Sequence, residues 1–232
     1  MMNTRKKKLS RLLLPEQVAE TLREMIIVGD LPWGEKVPVT TLAAQLEVSP
    51  TPLREALKVL ASENLVELLP NRGARVCAYT KEDARDLFEV IAGLESLAAR
   101  LAATRMTQQE LSQLQDMHQT MHAAYERHDK ETYFPLNSAI HDLIVDYARN
   151  PVLSSSRAKL MVRANRGRFI AIADPYRWRE ALEEHDQLMD AFEKRDPDAA
   201  AAIWQVHLDH TGLATVKALS AASVEPAELE DD

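Results

Sequence analysis

The segment from Ser49 to Leu57 combines residue types that suit contact with DNA. Its sequence, Ser-Pro-Thr-Pro-Leu-Arg-Glu-Ala-Leu, predicts a helix with Ser49 as the N-cap and Pro50 as the first helical residue. A helix N-terminus offers free N–H groups to a phosphate, and its first turns bring side chains to base edges in the major groove. Arg54 lies one turn into this helix, and a guanidinium can pair bidentately with guanine. The segment therefore predicts a helix that enters the major groove.

The flanking residues predict a small domain that positions this helix. Apolar residues at helical spacing predict helices over about residues 15–28, 39–46 and 50–63, with Leu53, Leu57 and Leu60 as the buried stripe of the third. Two short apolar runs, at about residues 65–69 and 74–78, flank the glycine turn of residues 70–73 and predict a hairpin. This order of three helices and a hairpin is that of a winged helix-turn-helix domain.

The rest of the chain predicts helices alone. Thr80 and Thr107 each begin a capping box, and Asn150-Pro151, Asp174-Pro175 and Asp196-Pro197 mark later helix starts. The predicted helices cover about residues 80–103, 107–128, 130–149, 151–173, 177–194 and 196–219, and Gly167 allows a bend in the fourth. We therefore expect a mainly α protein, in which the winged helix-turn-helix is followed by an antiparallel all-helical bundle.

These patterns divide the chain into four expected regions. A basic arm covers residues 1–11, the winged domain residues 12–79, the helical domain residues 80–220 and an acidic tail residues 221–232. Residues 1–80 carry a net charge of +2, whereas the remainder carries −10. This asymmetry favours a front domain that faces nucleic acid, although differences of this size also occur in proteins that do not bind DNA.

Composition limits the compartment and the class of protein. Cys77 is the single cysteine, so an intramolecular disulfide is excluded, which fits a reducing compartment. No apolar run approaches the roughly 18–20 residues that span a bilayer. The basic start at Arg5–Lys8 is followed by an apolar run, Leu12–Leu14, that is too short for a secretion signal. We therefore expect a cytoplasmic protein with no membrane partner.

Several motifs resemble the GntR family of bacterial transcription regulators. The helical half resembles the FCD effector domain of that family's FadR-type branch. Together the two resemblances cover roughly residues 12–218. The matching front segments are Gly29–Glu35, Leu42-Ala43, Val48–Leu57, Asn64–Val66 and Pro70–Ala74, and the matching rear segments are Leu94-Glu95, Ala98–Ala103, Ile140–Pro151 and His185–His207.

The resemblance implies a DNA-binding surface. Arg54 matches the family's base-contacting arginine, and hydroxyls and N–H groups near Ser49 and Thr51 would hold a phosphate. Two positions depart from the family pattern, because Pro50 and Thr40 stand where relatives carry arginine. In the alternative interpretation, Arg54 is a solvated helix residue paired with Glu55. The expected DNA-binding residues are Thr40, Ser49, Thr51, Arg54, Asn71, Arg72 and Gly73.

The resemblance also implies a metal site in the helical bundle. Family members hold a divalent metal with three histidines and an Asp or Asn one helical turn before the first. Asn137 precedes His141 by four residues, so both project from one helix face. The implied ligands are Asn137, His141, His185 and His207, and imidazole ligands favour Zn or Ni. The alternative is a set of polar core histidines that bond to backbone or carboxylate groups.

Further cationic and histidine side chains are candidates for ligand contact. Arg163, Arg166 and Arg168 could direct a cation into the bundle, with Arg163 and Arg166 as the expected effector-binding residues; the alternative is an exposed basic face. Relatives commonly carry an arginine at the position of Ile91, so their usual carboxylate clamp is absent here. The remaining histidines of interest, His118, His122 and His210, are expected to be structural, exposed or merely adjacent to the site.

The function expected from these observations is a homodimeric transcription regulator, and in particular a repressor. It would bind double-stranded DNA, and a small organic acid bound in the helical domain, against the metal, would change operator affinity. A pure metal sensor is a second hypothesis. A metal-dependent hydrolase is a third, and the sequence disfavours it because it holds no HExxH, GxSxG, Walker or glycine-rich dinucleotide motif.

Overall fold

The computed structural model describes residues 14–70 and 72–222. The chain divides into two compact units between Ala78 and Tyr79. The described residues are mainly helical, and the predicted fold class is confirmed: a winged helix-turn-helix unit is followed by a bundle of six helices. No helix within the described ranges combines the length and apolar character that a bilayer crossing requires.

The first unit contains three helices and a hairpin. The helices are α1 (Leu14–Val28), α2 (Val39–Gln45) and α3 (Pro50–Ser62), and the strands are β1 (Val66–Leu69) and β2 (Gly73–Val76). The strands pair antiparallel, with Val66 opposite Val76 and Leu69 opposite Gly73. Gly73 has φ +88°, a left-handed conformation that glycine adopts without steric cost. The hairpin is therefore the wing that the glycine turn predicts.

The core of this unit fixes α3 in place. The predicted stripe of Leu53, Leu57 and Leu60 is buried, and Leu22 of α1 packs in the same core. A two-pronged ion pair links the helices further, because the Arg23 guanidinium donates to both carboxylate oxygens of Glu63 at 3.0 and 2.7 Å. Ser49 occupies the N-cap position of α3, although its side chain makes no capping hydrogen bond.

The second unit contains six helices. They are α4 (Lys81–Arg105), α5 (Gln108–Glu126), α6 (Lys130–Tyr147), α7 (Pro151–Ala171), α8 (Pro175–Glu193) and α9 (Pro197–Ala222). The capping boxes predicted at Thr80 and Thr107 are both present, and side chains of Asp129, Asn150 and Asp174 cap the next three helices. Each predicted helix therefore exists and begins close to its sequence signal.

Helices α4 and α9 pack antiparallel at close range. Phe88 of α4 faces Gly212 of α9 and Gly167 of α7, and a Cβ at either glycine would lie 2.7 Å from a Phe88 carbon. Further along, the Ser96 hydroxyl donates to the Ala201 carbonyl at 2.8 Å. Gly167 therefore permits a close approach of α7 to α4, and α7 continues through it.

Several boundaries differ from the prediction by one to three residues. α5 and α6 end before His128 and Arg149, which have positive φ and complete the turns that follow. At the other end of the chain, α9 extends to Ala222, so the first two residues of the predicted tail are helical. The predicted basic arm and residues 223–232 lie outside the described residues.

The capping box at Thr80 gives a test of how α4 is anchored. Thr80→Ala should lower the free energy of unfolding by about 1 kcal/mol, because Asp83 N–H loses the hydroxyl that accepts its hydrogen bond at 3.0 Å. Thr120→Ala is the matched control, since Thr120 is exposed within α5 and alanine there should add up to about 0.5 kcal/mol. Urea unfolding of both variants measures the difference, and equal midpoints would contradict the capping role.

Candidate functional site

Three histidines from three helices meet in the core of the second unit. His141 lies on α6, His185 on α8 and His207 on α9, and their exposures are 0, 0 and 3%. Their ring centroids are separated by 4.9–5.5 Å. One ring nitrogen from each lies within 4.8 Å of the others. The structure therefore brings together the three imidazoles that the sequence named as metal ligands.

Asn137 occupies the helical turn before His141 on α6. Its side chain is 4% exposed, and its Oδ1 is buried. Within the described part of the chain, this oxygen has no hydrogen-bond partner. The spacing of four residues places it on the same face as His141, so a neutral oxygen donor is available beside the imidazoles.

The ring nitrogens of the cluster are incompletely bonded. Among the described residues, His141 Nε2 and both nitrogens of His185 are buried without a hydrogen-bond partner. Burying polar atoms unpaired costs free energy, so such a group of atoms calls for an explanation. A metal ion bound at the cluster would satisfy His141 Nε2 and one of the two His185 nitrogens. This donor set of three imidazoles and an amide oxygen fits a first-row transition metal.

Two carboxylates orient the imidazoles from behind. His141 Nδ1 lies 2.5 Å from Glu95 Oε2, and His207 Nδ1 lies 2.7 Å from Glu184 Oε2. A proton on each Nδ1 then donates to its carboxylate and leaves Nε2 as the free ligand atom. Glu95 and Glu184 are residues that the sequence analysis did not assign, although Glu95 lies within a family-like segment and Glu184 adjoins His185.

Burial keeps the imidazoles in their neutral, metal-binding form. Desolvation lowers the pKa of His141 and of His185 well below the ordinary value, and it lowers the pKa of His207 to about 4. For Glu184, burial acts to raise the pKa, but the hydrogen bond from His207 and the charge of Arg177 outweigh it and bring the pKa to about 2. Near neutral pH the cluster is therefore uncharged, and Glu184 supports it as an ionised carboxylate.

Trp204 forms one wall of the cluster. Its ring is stacked on His207 at 4.5 Å and lies 4.4 and 4.8 Å from the rings of His141 and His185. It is fully buried. The sequence analysis missed this residue, although its position three residues before His207 on α9 places both on one helix face. Trp204 restricts the rotation of the imidazoles and gives the site an intrinsic fluorophore.

The arginines expected to bind an effector lie in different surroundings. Arg163 pairs with Asp83 at 3.0 Å and lies over the Tyr79 ring, so its charge is engaged near the start of α4. Arg166 is half-buried, and burial lowers its pKa. Arg168, by contrast, is 2% exposed, and burial lowers its pKa to about 10.

Arg168 lies beside the histidine cluster with few partners. Its hydrogen bonds within the described residues are long, 3.4 Å each, to Asn165 Oδ1 and to the Asn137 carbonyl. Its charge contributes to lowering the pKa values of all three histidines, which places it close to them. Arg168 is therefore a buried guanidinium with spare donors at the candidate site.

The expected DNA-binding residues that the structure describes lie on the surface of the first unit. Thr40, Arg54 and Gly73 line one concavity together with Lys58, and Thr40 and Gly73 also line a second one with Arg72. Ser49 and Thr51 are exposed at the N-terminus of α3. Asn71 lies outside the described residues. The structure thus brings residues of α2, α3 and the wing to one surface.

Family comparisons match both units. Residues 14–76 match the family model described as bacterial regulatory proteins of the gntR family, and residues 86–210 match the FCD domain. Members of this family are transcription regulators and not enzymes, which removes the hydrolase hypothesis.

Individual relatives agree with this match. The HTH-type transcriptional regulator McbR of Escherichia coli is 28% identical over 193 residues, which cover 82% of this chain and 87% of the relative. A probable D-xylose utilization operon transcriptional repressor of Paenarthrobacter nicotinovorans is 29% identical over 199 residues, with coverages of 86 and 87%. The solved structure of E. coli McbR/YncC superposes with a TM-score of 0.76 at 26% identity and covers 92% of this chain and 100% of its own. The chain therefore belongs to the gntR family of helix-turn-helix transcription regulators, in the group whose second domain is an FCD domain.

Proposed function

We propose that this regulator is a homodimeric repressor whose affinity for its operator is controlled by a small anionic metabolite bound at a metal ion in the helical unit. The observation that carries the proposal is the buried cluster of neutral imidazoles with unpartnered nitrogens. One relative is named a probable transcriptional repressor, which favours repression.

The donor set favours zinc or nickel. His141, His185 and His207 would bind through imidazole nitrogens, and Asn137 would add an oxygen. Three protein ligands on a tetrahedral ion, or four on a six-coordinate ion, leave a coordination position open, and a bound metal supplies an electrophilic centre at which an anion can coordinate. Because the fourth protein ligand is a neutral amide, the protein itself contributes no negative charge directly to the ion.

The charge balance of the core favours an anionic ligand. Within the described residues, the buried charged side chains are three arginines, Arg157, Arg168 and Arg177, and two glutamates, Glu95 and Glu184. Arg157 donates to Glu95 at 2.8 Å, and Arg177 donates to Glu184 at 2.8 Å. Arg168 is left as the excess cation, and a divalent metal would add two more charges. A carboxylate that binds the metal and Arg168 would offset this excess.

A dimer is favoured by an exposed apolar face on the helical unit. Val90 and Leu97 are exposed on α4, and Val206 and Leu213 are exposed on α9, each pair one heptad apart. The antiparallel packing of α4 against α9 places these four side chains along one helix pair. Two copies joined through this face would present two winged units, as a palindromic operator requires.

DNA recognition is proposed to depend on the exposed residues of α2, α3 and the wing. Arg54 would contact a base, Thr40, Ser49 and Thr51 would contact the backbone or adjacent edges, and the wing tip would reach the minor groove through Asn71, Arg72 and Gly73. Effector binding would change the population of dimers whose two winged units match the operator spacing.

Substitution of Arg54 tests the contact with DNA. Arg54→Ala should weaken binding to the preferred fragment by about 1–3 kcal/mol, because a bidentate contact with guanine is lost. Arg54→Lys is the control, because it keeps the positive charge but removes the bidentate guanidinium. It should retain affinity for random duplex but lose the preference for the specific fragment. Fluorescence anisotropy measures both affinities, and titration at saturating concentration should give two chains per duplex. Undiminished discrimination in both variants would exclude Arg54 from base contact.

Substitution of His185 tests the metal site. His185→Ala should lower the metal affinity by more than the ~10–100-fold that loss of an outer-shell partner costs, because a ligand itself is removed. His210→Ala is the matched control, since His210 is partly exposed and bonds to Glu184 Oε1. Elemental analysis after dialysis against Zn²⁺ measures bound metal, and circular dichroism verifies the helical content. Equal metal content in the His185 variant and the wild type would refute the site.

Substitution of Arg168 tests the class of effector. Small carboxylic acids should change operator affinity in the wild type, and Arg168→Gln should abolish that response while metal content is retained. Arg163→Gln is the control, because Arg163 is paired with Asp83 and should leave the response unchanged. The proposal for Arg168 is wrong if its variant still responds. If chelation alone switches operator binding and no acid has an effect, the metal is itself the signal.

A further inference from the structure

A line of imidazoles connects the surface of the helical unit with the buried histidine cluster. His122 on α5 has a side chain that is 43% exposed, and His118, one turn earlier, is 12% exposed. The His122 and His118 ring centroids are 6.4 Å apart, and the His118 and His185 centroids are 6.3 Å apart. The His118 and His185 rings are nearly parallel, with an interplanar angle of 9°. The exposed fraction of the side chain therefore falls stepwise from His122 through His118 to His185, which is 0% exposed.

We propose that divalent metal ions enter the buried site along His122 and His118, which act as transient ligands and pass the ion to His185. This inference rests on the proposed metal site. A site whose ligands are 0–3% exposed needs an entry path, since the ion must exchange its water ligands for protein ligands on the way inward. Successive imidazoles allow that exchange to occur one ligand at a time.

The charges along this line favour a cation. Asp186 Oδ1 lies 3.0 Å from His118 Nε2, and the Asp186 side chain is half-exposed. At the outer end, Glu126 Oε1 lies 3.5 Å from His122 Nδ1. Each step from the surface therefore pairs an imidazole with a carboxylate. Carboxylates in such a position raise the local concentration of cations and the rate at which they associate.

A second group of ligand side chains lies next to His207, but a buried arginine pairs with its innermost carboxylate, Glu184. Glu180, Glu184 and His210 offer ligand atoms within 4.8 Å of one another. Behind them, Arg177 Nη2 donates to Glu184 Oε2 at 2.8 Å and to the His207 carbonyl at 2.9 Å.

The Arg177 charge has a direct consequence for a metal ion on that side. Arg177 is 5% exposed and also donates to Thr211 Oγ1 at 3.0 Å, so the guanidinium is held in place by several acceptors. A fixed positive charge beside Glu184 and His207 repels an entering cation and occupies the Glu184 oxygen that it would need. The two sides of the cluster therefore differ, and entry is assigned to the His118 side.

The kinetics of metal loading test this assignment. Chelator-treated full-length protein is mixed with Ni²⁺ alone in a stopped-flow instrument, and loading is followed by quenching of Trp204 emission, whose ring lies 4.4–4.8 Å from all three imidazoles. Elemental analysis gives the final stoichiometry. His185→Ala, which removes a ligand, identifies the part of the quenching that comes from the buried site.

The variants at position 118 should slow loading without changing its end point. His118→Leu fills the space without a ligand, and His118→Ala removes the ring altogether. Both variants should bind Ni²⁺ more slowly than the wild type by about tenfold or more, which is within the range by which local electrostatics alters association rates. Both should reach the same final stoichiometry. His122→Ala should slow loading less, because it acts at the outer step. His210→Ala should load at the wild-type rate.

Each remaining outcome decides against a specific claim. Equal loading rates in wild type and both His118 variants would overturn the entry route while the buried site stands. If the His118 variants bind less than one Ni²⁺ per site at the end point, His118 is a permanent ligand, and the proposal that it acts as a transient ligand is also overturned. If His210→Ala slows loading and the His118 variants do not, the route lies on the Arg177 side. A wild type that binds no Ni²⁺ removes the proposed metal site itself, and the route with it.

Discussion

Two buried carboxylates support the polar interior of the helical unit. Glu95 bonds to His141 and Arg157, and Glu184 bonds to His207 and Arg177, so each connects one imidazole with one guanidinium. Removing one member of a buried ion pair costs far more than an exposed pair contributes, because the partner charge remains desolvated. The orientation of the histidine cluster therefore depends on charges that do not belong to its ligands. Helix α4 contributes to the site mainly through Glu95, whereas α8 contributes Glu184 and also the ligand His185.

This arrangement separates the tasks of the helical unit. The neutral imidazoles provide ligand atoms, the carboxylates fix which nitrogen of His141 and of His207 faces inward, and Trp204 holds the rings in their orientation. Arg168 is the buried cation that these pairs leave over. The same interior can thus hold a cation at the histidines and an anion beside it. In the winged unit the division is simpler: an apolar stripe fixes α3 from behind, and its exposed face is mostly polar, with Val59 as an exposed apolar residue.

Sequence reasoning predicted the fold well because its signals are local. Thr80 and Thr107 specify their helix starts through capping boxes, and the stripe of α3 follows from leucine spacing. Helix ends were less accurate, because the chain has six glycines and ends several helices with other residues in the left-handed region, such as His128 and Arg149. These residues carry no signal of their own for a helix end, so the predicted helices extend to them, whereas the observed helices end two residues earlier.

The candidate site was predicted only in part, because local sequence patterns do not specify how the helices pack against one another. Family resemblance identified the three histidines, because ligand types recur at recognisable positions in the family. The supporting residues depend on which helix faces which, and a single sequence does not specify that. Arg163 and Arg166 were preferred over Arg168 as effector-binding residues. The position of each arginine around the helix axis decides which guanidinium faces the core, and a single sequence does not give that orientation. Glu95, Glu184 and Trp204 became identifiable only once α4, α8 and α9 were packed together.

The contact of Phe88 with Gly167 and Gly212 gives the site a remote determinant of size. The helix that carries Glu95 closely approaches α9, which carries His207, at Gly212, and α7 at Gly167, because a methyl group is missing at each glycine that meets Phe88. A rigid helix transmits any widening at that point along its length, so the distance between Glu95 and His207 is set more than a turn away from either. The spacing of the helices around the histidine cluster therefore depends on two glycines whose missing side chains make room for Phe88.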